Sequence, residues 1–162
     1  RNKNFHMPNY QLGEVLRENY GDNFLDNFSE FNETPIAAAS IGQVHKCKYG
    51  NKELILKIQY PKIRESIESD INNIRLLTKN LGILPKSFDF DKLLEAGKIQ
   101  LLNETDYLLE AAHQKNFYHL LKTDKKFVVP KINEKLTTAK ILESYQNPLI
   151  SINCLKLGKH SY

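Results

Sequence analysis

The sequence predicts an α+β fold: a small antiparallel sheet packed on a long helix, with an extra N-terminal helix and an inserted helix. Three observations carry this reading. Residues 43–49 and 53–60 are rich in β-branched and aromatic side chains and flank the turn pair Gly50-Asn51, which is the pattern of a β-hairpin. Residues 62–80 bring Ile63, Ile67, Ile71, Ile74 and Leu77, with Leu81 following, to helical spacing. From Asp89 or Asp91, either of which can cap a helix, a second apolar stripe runs through Leu94, Leu101, Leu108, Ala112 and Leu120 or Leu121 to about Lys122.

Taken in order, Pro8 can start a helix through Asn19, with Leu12, Val15 and Leu16 on one face and Gly21 as its stop. Phe24, Leu25 and Phe28 form a further short turn. The hairpin follows and ends at Pro61. In its second strand side chains alternate, so Leu54, Leu56 and Ile58 face one way while Ile55, Lys57 and Gln59 face the other. Gly82 to Lys86 separates the two helical stretches. Residues 127–132 and 137–143 read as two more strands, parted by Asn133-Glu134.

Lys57 is a cation in the middle of an apolar strand, between Leu56 and Ile58. A lysine on a solvated sheet face is the plain alternative. The loop before the hairpin favours an anion instead. Ala37, Ala38, Ala39, Ser40, Ile41 and Gly42 have little side-chain bulk, so main-chain N–H groups can approach a phosphate closely. Alanine resists positive φ, which makes such a loop stiffer than a glycine-rich one. Small-residue turns also occur as plain packing, so the loop does not decide the matter alone.

A chain of 162 residues can bury roughly 70% of its unfolded surface, enough for one core. The 23 basic and 19 acidic residues are interspersed and leave a net charge of +4, which does not indicate a nucleic-acid surface. No apolar run reaches the length of about 18 residues that spans a bilayer. Cys47 and Cys154 lack metal-like spacing and read as packing residues, and the five histidines are scattered.

Several separated blocks resemble the UbiB-type atypical kinase-like family, in its mitochondrial branch that supports coenzyme Q biosynthesis. They are AAASIGQVH at 37–45, LKIQYP at 56–61 and SIESDINN at 66–73. Glu104-Thr105-Asp106-Tyr107-Leu108-Leu109-Glu110-Ala111 resembles the family's Glu-x-Asp-Tyr-x-x-Glu-Ala helix, Phe127-Val128-Val129-Pro130 its next strand, and His6-Met7-Pro8 its lead-in. The likeness runs from about His6 to Glu143. It implies a protein-kinase-like N-terminal lobe over residues 31–146, a helical lead-in over 1–30 and a divergent tail over 147–162.

The resemblance implies ATP, with Mg2+, as the cofactor. The loop Ala37–Gly42 stands where other kinases cover the nucleotide phosphates, and Lys57 where a strand lysine contacts the α and β phosphates. Glu104 matches the glutamate that pairs with that lysine, and Glu110 a second acidic position near nucleotide and metal. On one unbroken helix the two glutamates would lie about 120° apart. The implied partners are a nucleotide, coenzyme Q biosynthesis proteins and the inner-membrane lipid surface, with no nucleic acid; the implied location is mitochondrial. No Asp-Phe-Gly triplet occurs and the last aspartate is Asp124, so the expectation is one lobe of a two-lobe protein, not catalytic by itself. A non-catalytic nucleotide- or protein-binding module, a pseudokinase-like scaffold, is the alternative.

Overall fold

A computed structural model describes residues 6–81, 89–124 and 126–145. The expected break at 82–86 and the tail at 147–162, with Cys154, lie outside them. The described residues fall into two compact units, one within 1–61 and 107–162, the other within 62–106.

The first unit is built on an antiparallel sheet. Its strands are β1 (Glu30–Phe31), β2 (Ala37–Ala38), β3 (Gly42–Tyr49), β4 (Lys52–Gln59) and β5 (Ile141–Tyr145), in the order β1-β3-β4-β5 with β2 also paired to β3. The β3–β4 hairpin turns where expected, with Tyr49 opposite Lys52 and Gly50 at φ 58°, the left-handed region that glycine enters without a Cβ clash. The alternation of β4 is also as expected. Leu54, Leu56 and Ile58 are fully buried in the main core, and Ile55 packs with Ala37 and Val44 on the opposite face.

Helix α1 (Asn9–Tyr20) covers the first of these faces through Leu12, Val15 and Leu16, and ends at Gly21, whose N–H bonds to the Arg17 carbonyl at 2.8 Å. A 3-10 turn over Phe24–Asn27 follows and leads to Phe28, which packs against Tyr20 and Phe31. Buried polar residues also lie in this unit, among them Gln43, His45 and Glu143. The Met7 N–H donates to Gln43 Oε1 at 2.9 Å, which leaves the Gln43 amide nitrogen to donate to His45 Nε2 at 2.8 Å. His45 Nδ1–H then donates to the Asn32 carbonyl at 2.9 Å, so the ring is held neutral, and burial lowers its pKa. Glu143 on β5 is fully buried with one oxygen accepting from Asn133 Nδ2 at 3.2 Å. Its other oxygen has no hydrogen-bond partner among the described residues, and burial pushes its pKa up to about 7.

The strands expected at 127–132 and 137–143 differ from what forms. Residues 127–131 are not in a strand, and Ile132 makes one isolated bridge to Ser144. Pro130 has no N–H to give to a ladder, which is one reason a full strand does not form there. The last strand starts at Ile141 because Thr138 folds the chain before it: its N–H bonds to the Ile141 carbonyl at 2.7 Å, and its hydroxyl accepts from the Ile141 N–H at 3.1 Å.

The second unit is an antiparallel helical pair, α2 (Ile63–Leu81) and α3 (Phe90–Glu104). Ile67 and Ile71 bury against Leu94, and Arg75 bonds to Asp91 at 3.0 Å and Glu95 at 3.3 Å. Ile63 packs partly buried against this cluster, while Ile74, Leu77 and Leu81 of the predicted stripe are exposed. Asp89 caps α3 by accepting from the Lys92 N–H at 3.0 Å.

The long helix expected from 89 to 122 is two helices, α3 and α4 (Tyr107–Leu121). Thr105 and Asp106 separate them. The Thr105 and Asp106 N–H groups reach back only three residues, to Leu102 and Asn103 at 3.1 Å each, and the Thr105 hydroxyl donates to the Leu102 carbonyl at 2.6 Å. Such short-range bonds tighten and end the last turn, because the threonine side chain supplies an alternative partner for the backbone.

Candidate functional site

Lys57 lies mid-strand on β4, between Val44 of β3 and Leu142 of β5 in the ladder. Both neighbours place their backbone hydrogen bonds in the sheet, so the lysine's Cα is fixed and only its side chain can search. Helix α4 meets it. The Tyr107 N–H, the first of that helix, donates to the Ala139 carbonyl at 3.1 Å, which fastens the helix start to the turn before β5. Tyr107 and Glu110 are three residues apart and so share one helix face. Lys57 Nζ donates to both Glu110 oxygens at 2.9 Å and stands 4.7 Å from the centroid of the Tyr107 ring. The lysine side chain is 28% exposed and the glutamate 39%, so a ligand from solvent can reach the pair.

The expected pairing is therefore corrected: Lys57 bonds to Glu110, not Glu104. Glu104 is the exposed last residue of α3, in the second unit. The helical-wheel relation between the glutamates fails because the chain is not one helix between them. Tyr107, which the sequence reading left without a role, is the third member of the cluster.

The small-residue loop is more structured than expected. Ala37 and Ala38 pair with Val44 and Gln43 as β2, and the Ala39 N–H donates to the Gly42 carbonyl at 2.8 Å, so Ser40 and Ile41 form a tight turn. Ile41 is buried, its carbonyl accepting from the Tyr60 N–H at 2.9 Å, while Ala38 and Ser40 are exposed. Gly42 is needed for strand contact: a Cβ there would lie 2.2 Å from the Ile58 carbonyl oxygen.

Among the described residues no three histidine, cysteine or acidic side chains gather as a metal site. Glu110, the acid at the lysine, has both oxygens engaged by Nζ. The residues present here thus do not fit a Mg2+ site. Among the described residues no helix is long and apolar enough to cross a membrane. A depression of about 180 Å³ lined by Tyr118, Leu121, Lys122 and residues 127–129 includes none of the candidate site residues.

Known proteins share this architecture. The chain is 38% identical over 158 residues to "Atypical kinase COQ8, mitochondrial" of Schizosaccharomyces pombe, covering 96% of this chain and 25% of that protein. It is 40% identical over 138 residues to the Saccharomyces cerevisiae protein of the same name, covering 85% of this chain and 28% of that one. To "Atypical kinase COQ8B, mitochondrial" of Danio rerio it is 42% identical over 137 residues, covering 84% and 22%. The chain thus spans about a quarter of the length of these relatives. Their names agree with the mitochondrial location that the resemblance implied.

A solved structure, the Rv3197–erythromycin complex from Mycobacterium tuberculosis, has a TM-score of 0.74 at 30% identity, covering 88% of this chain and 36% of that one. The model of the ABC1 atypical kinase-like domain matches residues 1–154. A lysine mid-strand, a helix glutamate closed on it and this match along nearly the whole chain agree with one another, and the chain belongs to the ABC1 atypical kinase-like domain family.

Proposed function

We propose that this chain is the ATP-binding lobe of an atypical kinase or ATPase that supports coenzyme Q biosynthesis. The observation that carries the reading is the bidentate Lys57–Glu110 pair at 2.9 Å, open to solvent on a rigid strand. A lysine held in this way presents its charge to the α and β phosphates of a nucleotide without having to order itself on binding. Beside it the exposed rim of the small-residue turn, Ala38 and Ser40, would border the phosphates. The place in coenzyme Q biosynthesis comes from the COQ8 relatives, and the inner-membrane surface and other biosynthetic proteins are the partners that reading entails.

Lys57→Ala tests it. A charge-assisted contact of about 1.5–3 kcal/mol corresponds to a loss of roughly 10- to 100-fold in ATP affinity, read by titration calorimetry. Folding stability should change by no more than about 1 kcal/mol, because a part-exposed ion pair contributes little. ATP affinity unchanged by the substitution, or global unfolding, would overturn the reading.

A further inference from the structure

We propose that Tyr107 is a positioning residue for the nucleotide-binding lysine, and that its ring face, not its hydroxyl, does the holding. The proposal rests on the reading of Lys57 given above. Tyr107 is completely buried, yet its hydroxyl oxygen has no hydrogen-bond partner among the described residues. A buried hydroxyl left unpaired is costly, so the hydroxyl is not what the position requires. The ring has a definite use: Lys57 Nζ stands 4.7 Å from its centroid, inside the range at which an ammonium is drawn to an aromatic face.

The chemistry of a ring suits a lysine that must still meet an anion. Glu110 takes two of the three ammonium N–H directions through its two oxygens. A second carboxylate beneath the lysine would hold it too, but would compete for the remaining N–H and would repel phosphate. An aromatic face attracts the cation and carries no net charge. Burial raises the Tyr107 pKa, with the Glu110 charge adding to the effect, so the side chain stays neutral in the working pH range. The ring is itself fixed, because the Tyr107 backbone N–H is tied to the Ala139 carbonyl at 3.1 Å. One residue therefore anchors the start of α4, supports the lysine from below, and places Glu110 one turn on.

The test replaces Tyr107 with phenylalanine and then with its mono-, di- and trifluoro analogues, which keep the shape of the ring while draining charge from its face. In this chain, Tyr107→Phe should fold at least as stably as the native protein, bind ATP with the same affinity, and retain the upfield ring-current shift of the Lys57 ε-protons. Across the fluorinated series ATP affinity should fall step by step, by about 3- to 10-fold in all, at nearly constant melting temperature. Tyr107→Leu should abolish the ring-current shift. Flat ATP affinity through the series, while Lys57→Ala still loses binding, would overturn the role of the ring and leave the nucleotide reading standing. Lost affinity in Tyr107→Phe would assign the role to the hydroxyl and also overturn it. If Lys57→Ala binds ATP as the native chain does, the nucleotide reading falls and the ring's role falls with it.

Discussion

At Gly42 the strands β3 and β4 come so close that a methyl group would overlap the Ile58 carbonyl at 2.2 Å and crowd the Gln59 Cα at 3.0 Å. Both are backbone atoms of a paired strand and cannot step aside cheaply. Gly42→Ala should therefore destabilise the fold by about 1–3 kcal/mol, the usual cost of overpacking, and a urea titration showing less than about 0.5 kcal/mol would contradict the geometry. Beside the phosphate approach expected of its loop, this glycine serves a close contact with β4. The strand contact could not be read from the sequence, because the residue that a glycine must admit belongs to a strand whose register is set elsewhere. Lys57 was legible for the opposite reason: an uninterrupted apolar strand makes a single cation conspicuous. Its partner was not, since choosing between Glu104 and Glu110 depended on where a helix stopped.

Among the elements, that helix stop was the main departure. The apolar spacing of residues 94–121 continues across Thr105-Asp106, and periodicity cannot register a break that keeps phase with the pattern. Only the competition of the Thr105 hydroxyl and the short-range N–H bonds reveals it. Strand β5 carries its own consequence. Glu143 is buried on it, with Tyr20 and Cys47 near enough to feel its charge and Asn133 bonded to it, and its pKa is raised to about 7 from 4.5. Because the folded pKa lies above the unfolded one, the folded state holds the proton longer. The associated stability is full below about pH 4.5 and declines by up to about 1.4 kcal/mol per pH unit until it is lost through pH 7. Glu143→Gln should therefore melt higher than the native chain at pH 8, with the difference shrinking toward pH 5. Equal melting differences at both pH values would show that the carboxyl is not buried as described. His45 acts with the opposite sign, its lowered pKa withdrawing stability as pH falls below 6.5.

For the molecule as a whole, the fold class, the hairpin, α1, α2 and the family were legible, because each rests on local periodicity or on blocks of sequence in a fixed order. The division into two units was not, since it depends on which helices find a partner. The chain contains no Asp-Phe-Gly triplet and no aspartate after Asp124, and its described residues gather no metal site. Phosphoryl transfer needs metal-bound phosphates and a residue to orient the acceptor. On the reading proposed above, ATP binding does not wait for these groups: ATP should raise the melting temperature of the native chain and not that of Lys57→Ala, and equal shifts in both would refute that. Finally, the turn at residues 136–140 joins distant parts of the first unit. Leu136 accepts from the Tyr20 hydroxyl, Thr138 donates to Asn19 at 2.7 Å, Ala139 receives the Tyr107 N–H, and Lys140 receives the Gln59 N–H at 3.1 Å. One extra residue spliced into that junction would shift the lead-in helix, the end of the lysine's strand and the root of the glutamate's helix together. The Gly50 bend is held by the Ser29 hydroxyl at its carbonyl and leaves room for a Cβ, so a change of length there would reach β1 before it reached the ion pair.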